Sequence, residues 1–313
     1  MTAIKTEGLT KKYGAVTALD HLDLEVPDNV VFGFLGPNGA GKTTTVRLLT
    51  GFSRPTSGSC WVAGEKVGEG NLGLQAKTGL LPDVPSFYPW MSGREFMRYV
   101  GELHGLRPQE NDRRAEELLE LVELRKAAGR RIGGYSRGMR QRLGVAQALV
   151  NHPKVLFMDE PTSALDPIGR REILALIQRL TESASIFMST HILSDVERVR
   201  SVVGIVDKGK LLTVSTVEGL REKYARSVFE IEFIEDAAQF ADSLKKVPWI
   251  SESKLVAGNG DQKLRVRAAQ VEKARKELPQ LIASSGLTLC RYELVMPDLE
   301  EIFMEILSSE GGR

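Results

Sequence analysis

Gly36-Pro37-Asn38-Gly39-Ala40-Gly41-Lys42-Thr43-Thr44 is the stretch that decides the fold. A strand-like run, Phe32-Gly33-Phe34-Leu35, precedes it. Thr44, Val46, Leu48 and Leu49 follow at helical spacing. The pattern G-x-x-x-x-G-K-[ST] thus lies in the strand–loop–helix setting its chemistry needs. Glycines let consecutive backbone N–H groups face phosphate oxygens, and the helix adds its positive N-terminal end. Lys42 is placed to reach the outer phosphates, and the Thr43 hydroxyl to ligate Mg²⁺. The competing reading is a glycine-rich turn that binds nothing; the flanking strand and helix count against it.

Three further stretches carry chemistry. Phe157-Met158-Asp159-Glu160 ends an apolar strand in two acids. Ligands of open parallel sheets sit beyond the carboxyl ends of the strands. Asp159 is therefore expected to hold Mg²⁺ through water, and Glu160 to orient and deprotonate an attacking water. The competing reading, a strand that simply ends in solvated acids, is the weaker one for the pair alone and weaker still beside a phosphate loop. His191 follows another apolar run, 186–190, at a third strand terminus. A lone histidine is ordinarily structural or superficial; this placement favours a contact with a γ-phosphate. Tyr135-Ser136-Arg137-Gly138-Met139 opens a helix, with Ser136 as its cap and Gly138 allowing close approach of a ligand. It reads either as a well-capped helix or as a second anion site, one that serves another subunit's nucleotide.

Composition bounds the rest. The 313 residues suggest about two domains. A net charge of +1 argues against nucleic acid as a bulk electrostatic partner. Cys60 and Cys290 lie far apart and read as reduced thiols. The first residues lack a basic-then-apolar leader pattern, and no apolar run approaches the ~18 residues that span a bilayer. A cytosolic polypeptide is expected, with any membrane spans supplied by other chains.

Strand alternation runs over 4–9 and 19–26, with Tyr13-Gly14 as a turn. Gly51 ends the helix after the phosphate loop, and 59–81 reads as strand with glycine breaks. Helical spacing holds over 95–103, 111–122, 137–150, 168–180 and 192–199. Residues 202–206 and 211–214 form a hairpin pattern around Asp207-Lys208-Gly209. After about 216 the order becomes β-α-β-β-α-β, the ferredoxin-like pattern, with Gly258-Asn259-Gly260 as a hairpin turn. Asp298 caps a last helix that aligns Leu299, Ile302, Phe303 and Ile306.

On these residues the sequence resembles the ATP-binding cassette (ABC) family over about 1–216. The matching elements, in order, are an aromatic-loop Tyr13, a Walker A (36–43), a Q-loop position (Asp83) and a signature (135–139). A Walker B (155–160), a D-loop (Ser163-Ala164-Leu165-Asp166) and a switch His191 follow. The resemblance implies an α/β fold: a P-loop NTPase ABC cassette at 1–216 with a helical signature subdomain at about 84–150. The small C-terminal α+β ferredoxin-like appendage occupies 217–313. The resemblance further implies a head-to-tail dimer in which Ser136 and Gly138 close over ATP bound by the other subunit. Tyr13 would stack on adenine, and Asp166 would couple the two sites.

Two departures from the family pattern matter. Tyr-Ser-Arg-Gly-Met stands where Leu-Ser-Gly-Gly-Gln is usual, and Asp83 replaces the Q-loop Gln. Both look like the ATPase subunits of ABC-2-type exporters of drugs, peptides or polysaccharides, as does Pro297-Asp298-Leu299-Glu300-Glu301-Ile302-Phe303. Asp83 can still ligate Mg²⁺, although its charge is less welcome near phosphate.

The expected function is the ATP-hydrolysing subunit of an exporter, peripheral on the inner face of the cell membrane. It would act with a separate integral membrane permease and a second ATPase copy or homologue. Lys42, Glu160 and His191 form the catalytic set. Residues 36–44 with Tyr13, Ser136 and Gly138 hold the nucleotide; Thr43, Asp83 and Asp159 hold the metal. Phe87, Tyr88, Pro89, Trp90 and Met91 are either core or the floor for a partner helix. A soluble ABC ATPase acting on ribosomes or DNA is the alternative; such relatives usually carry two cassettes or a long coiled coil. A non-hydrolysing ATP sensor is opposed by the intact Lys42, Asp159, Glu160 and His191.

Overall fold

The computed structural model describes residues 2–310, apart from 69, 164, 200, 225–227, 258–261 and 296–297. The expected turn at 258–260, Ala164 and Pro297 therefore lie outside the described residues. The chain divides into two compact units, Met1–Val217 and Glu218–Arg313.

The first unit opens with β1 (Thr2–Tyr13), β2 (Val16–Pro27), β3 (Val31–Leu35) and α1 (Lys42–Leu49). β4 (Ser57–Val62), β5 (Glu65–Lys66), α2 (Leu72–Lys77) and β6 (Thr78–Leu81) follow. Three helices come next, α3 (Gly93–Leu103), α4 (Pro108–Leu121) and α5 (Arg137–Ala148). The unit ends with β7 (Val155–Asp159), α6 (Pro167–Leu180), β8 (Ser185–Thr190), α7 (Leu193–Arg198), β9 (Val202–Asp207) and β10 (Lys210–Thr216).

Two sheets build it. One is antiparallel, in the order β2-β1-β4-β5. The other runs β10-β9-β3-β8-β7-β6, parallel except at the β10 edge. β3, β7 and β8 are buried along their whole length, as strands covered on both faces must be, which is why they read as continuous apolar runs. Phe187 sits at the centre, with Phe32, Phe34 and Phe157 at ring separations of 5.6, 5.3 and 5.7 Å.

Parallel register positions the site. Leu35 pairs with Thr190, and Asp159 with Ser189, so β3, β8 and β7 end at one edge of the sheet. The residues that follow these strands are brought together without any long excursion of the chain.

Local chemistry sets the helices. Ser92 and Glu95 form a reciprocal capping box on α3, and Pro108 starts α4 where a missing N–H costs nothing. Helices α3, α4 and α5 pack on one another. The expectation of strand with glycine breaks over 59–81 is corrected by α2. Asn71 caps that helix by accepting from Leu74 N at 3.2 Å. Only Leu74 of its six residues is buried, too short a stretch to show a helical period. In the aromatic stretch, Phe87 is half-buried and packs edge-on to Phe96 at 5.1 Å, and Met91 is half-buried too, whereas Tyr88, Pro89 and Trp90 are exposed; the core reading does not suit these three.

Helix α8 (Val217–Tyr224) begins at the end of the first unit. The second unit contains β11 (Val228–Phe233), α9 (Ala238–Leu244), β12 (Ile250–Ala257), β13 (Gln262–Ala268), α10 (Val271–Ser284), β14 (Leu289–Val295) and α11 (Leu299–Glu310). The order is β-α-β-β-α-β plus a terminal helix, with an antiparallel sheet β12-β13-β11-β14. Phe229, Ile231, Leu264 and Val266 share one core with Leu244, Leu278 and Ile282 of α9 and α10. Alternate residues carry cross-strand ion pairs, Arg265–Glu230, Lys263–Glu232 and Arg267–Glu252. Asp298 accepts from Glu301 N at 2.8 Å and so caps α11.

Candidate functional site

The phosphate-loop sequence spans the turn from β3 into α1. Gly41, with φ +103°, is the N-cap of α1, and a Cβ there would stand 2.5 Å from the Ala18 carbonyl oxygen. A Cβ on Gly36 would stand 2.3 Å from the carbonyl of Val206. Neither position admits a side chain without moving backbone. Gly36 N donates to Thr190 O (3.4 Å), which ties the loop to the strand that precedes His191. Pro37, Asn38, Gly39 and Ala40 complete the loop, and Ala40 N donates back to Pro37 O (3.2 Å).

Lys42 is buried, 6% exposed, and its Nζ donates to the carbonyls of Gly36 (2.9 Å) and Pro37 (3.2 Å). The loop is thus wrapped around its own ammonium. The same Nζ lies 3.3 Å from Glu160 Oε1, and Glu160 Oε2 lies 2.9 Å from His191 Nδ1. A carboxylate in that position takes the Nδ1 hydrogen. Lys42, Glu160 and His191 come from three strand ends and form one continuous chain of polar contacts.

Glu160 follows β7 with φ +48°, in the left-handed region that a residue with a Cβ seldom adopts. This turn lets its N–H donate to Ser189 O (3.0 Å) while its carbonyl accepts from Ser163 N (3.0 Å). The side chain is consequently aimed at Lys42 and His191 rather than along the strand. Its neighbour Asp159 is buried and accepts a hydrogen bond from Ser189 Oγ.

Residues assigned to a metal from sequence are all oxygen donors: Thr43, Asp159 and Asp83. The Thr43 side chain is exposed at the start of α1. Among the described residues there is no cluster of three or more acidic, histidine or cysteine side chains fit to cage an ion. A few protein oxygens, with phosphate and water completing the shell, is the habit of Mg²⁺, so these residues fit that ion. Asp83, two residues past β6, accepts from Ser163 Oγ at 2.6 Å. That bond joins Asp83 to the loop after Glu160.

Tyr13 ends β1, 47% exposed, with Lys11 Nζ 4.9 Å from its ring centroid. Thr44 lies in the first turn of α1. Ser136 caps α5 by accepting from Met139 N at 3.2 Å. Ser136 and Gly138 line a cleft of about 640 Å³ together with Leu165, Asp166 and Glu172. Among the described residues no hydrogen bond or ion pair joins Ser136 or Gly138 to the Lys42 group. The structure therefore holds these sequence-picked residues as separate groups.

Sequence reading missed a buried polar node behind these loops. Asp195, fully buried on α7, accepts from Thr162 Oγ1 and from Arg170 Nε (2.6 Å). Gln141, buried on α5, donates to Pro161 O at 2.9 Å. No motif marks these residues; the burial of a helix position that carries a carboxylate is the only signal.

Comparison with known proteins follows the two units. Residues 19–163 match the family model described as ABC transporter. Residues 216–307 match the one described as ATP-binding protein DrrA1-3-like, C-terminal domain. The chain is 36% identical over 304 residues to the uncharacterized ABC transporter ATP-binding protein YxlF of Bacillus subtilis (strain 168), covering 97% of this chain and 99% of that protein. It is 34% identical over 316 residues to the bacitracin transport ATP-binding protein BcrA of Bacillus licheniformis, covering 99% and 98%. Among solved structures, an ATP binding subunit of an ABC transporter superposes with a TM-score of 0.64 at 26% identity, covering 71% of this chain and 93% of that one.

Proposed function

The chain belongs to the ABC transporter family, as an ATP-binding subunit with ATPase activity, and we propose that it drives an exporter whose membrane spans lie in a separate permease. The observation that carries this reading is the contact chain Lys42–Glu160–His191 against the phosphate loop. Among the described residues no helix is long and apolar enough to cross a membrane, which is in keeping with a peripheral subunit on the inner face. The bacitracin-transport relative and the DrrA-like C-terminal match favour export over work on ribosomes or DNA.

In this reading residues 1–216 are the nucleotide-binding domain and 217–313 an accessory domain. Tyr13 stacks on adenine, and the N–H groups of 36–44 surround the phosphates. Lys42 exchanges its two carbonyl partners for phosphate oxygens. Glu160 takes the proton of the attacking water, and the His191 ring beside it contacts the terminal phosphate. Thr43, Asp159 and Asp83 hold Mg²⁺, which when bound offsets charge on the phosphates. Ser136 and Gly138 meet the nucleotide of a second subunit, head to tail. That arrangement explains why their cleft stands apart from Lys42. Closure on ATP and reopening on hydrolysis then supply a two-state stroke.

The test is phosphate release from Mg²⁺-ATP by the purified chain, and co-purification with an integral membrane protein. Lys42→Ala abolishes hydrolysis in this reading. Near-wild-type turnover by that variant sinks the site assignment, and stable association with ribosomes or DNA instead of a membrane partner sinks the exporter.

A further inference from the structure

Asp195 joins the segments that follow His191, Glu160 and Asp166. It lies four residues beyond His191, on α7. Its Oδ2 accepts from Thr162 Oγ1, and Thr162 stands two residues beyond Glu160. Its Oδ1 accepts from Arg170 Nε at 2.6 Å, and Arg170 stands on α6, one turn after the cap Asp166. Arg170 also donates through Nη2 to Ser194 Oγ at 2.7 Å, so the guanidinium holds α7 by two neighbouring residues. Gln141 fixes the intervening Pro161 carbonyl from α5.

The node is in an unusual place for a charge. Asp195 is 0% exposed and Thr162 2% exposed, while Arg170 is partly open to solvent. A buried ion pair contributes little net stability over a well-packed apolar pair, because desolvation offsets the attraction. It does impose direction: a carboxylate with one partner on each oxygen tolerates only one arrangement of the groups around it. Here those groups are the bases of the loops that carry Glu160, His191 and Asp166.

We propose that Asp195, with Thr162 and Arg170, is a positioning residue for hydrolysis, setting the spacing between Glu160 and His191. It touches neither substrate nor reacting atoms. It acts by fixing the loop after β7 to the helix after β8, and so the 2.9 Å contact between the two side chains. The proposal rests on the reading of Glu160 as the base.

The experiment measures kcat and KM for Mg²⁺-ATP, with melting temperature, in the full chain. Misplacing a reacting group by about 1 Å costs up to ~10²-fold in rate. Asp195→Asn and Thr162→Val are expected to lower kcat by 10- to 100-fold on that scale. KM is expected to stay within about twofold, because the phosphate loop is untouched. Thr162→Ser, which keeps the hydroxyl, restores most of the lost turnover. The apolar pair Asp195→Leu with Arg170→Met recovers the melting temperature but not kcat. A kcat that recovers along with the melting temperature overturns the proposal, as does wild-type kcat in Thr162→Val. Glu160→Gln run in parallel separates the two readings: wild-type turnover there overturns the base assignment and this proposal with it. Loss there combined with normal Asp195 and Thr162 variants overturns the positioning role alone.

Discussion

Ser163 Oγ donates to Asp83 Oδ1 over 2.6 Å, joining positions 80 residues apart. The bond ties the loop after β6 to the loop after Glu160. Ser163→Ala and Asp83→Ala are expected to change the ATPase rate in the same direction, and the double variant to be no worse than Asp83→Ala alone. A double variant whose effect is the sum of the singles would show that the two side chains act independently.

Glu160→Gln keeps size and hydrogen bonding but removes the base. Turnover is expected to fall ~10²–10⁴-fold while ATP binding survives. Blocked reopening should accumulate an ATP-bound dimer, visible by size-exclusion chromatography with Mg²⁺-ATP. Unchanged turnover would remove Glu160 from its role.

Ser136→Arg places a bulky cation where the second subunit's phosphate docks, so ATP binding to the monomer persists and closure fails. Mixing it with Lys42→Ala puts both lesions in one composite site and leaves the other wild type. Partial activity recovered in the mixture is the expected outcome. No recovery, with each single variant inactive, argues against sharing of sites between subunits.

The two cysteines differ in chemistry. Cys60 is buried in β4, where burial pushes its thiol up to about 11, whereas Cys290 is exposed. Only the thiolate reacts, so at about pH 8 a maleimide should label Cys290 alone in the native chain. Labelling of Cys60 should begin only after unfolding, as read by mass spectrometry of the peptides. Rapid native labelling at Cys60 would mean that β4 opens readily.

Much of the site was legible in the sequence because it is written locally. Gly36–Lys42, Asp159-Glu160 and His191 each follow an apolar run, and parallel register then brings the run ends to one edge. The Ser136 cap is local as well. What sequence reading missed is either too short or too distant. Helix α2 buries only Leu74, so it has no period to detect. The partners of Asp195 stand 33 and 25 residues away, and that of Asp83 stands 80 away. Spacing in sequence carries no trace of such bonds, because sheet order decides which loops meet.

Glu160 with φ +48° carries a consequence for how this chain changes over generations. Holding a side chain in a sparsely populated backbone region costs on the order of 1–3 kcal/mol, and glycine is free of most of that cost. A population selected only for heat resistance, with no demand for turnover, is therefore expected to drift away from glutamate at this position toward glycine or asparagine. Lineages that retain glutamate under heat reveal that they still need the work it does, so the residue serves as a fossil record of selection for activity.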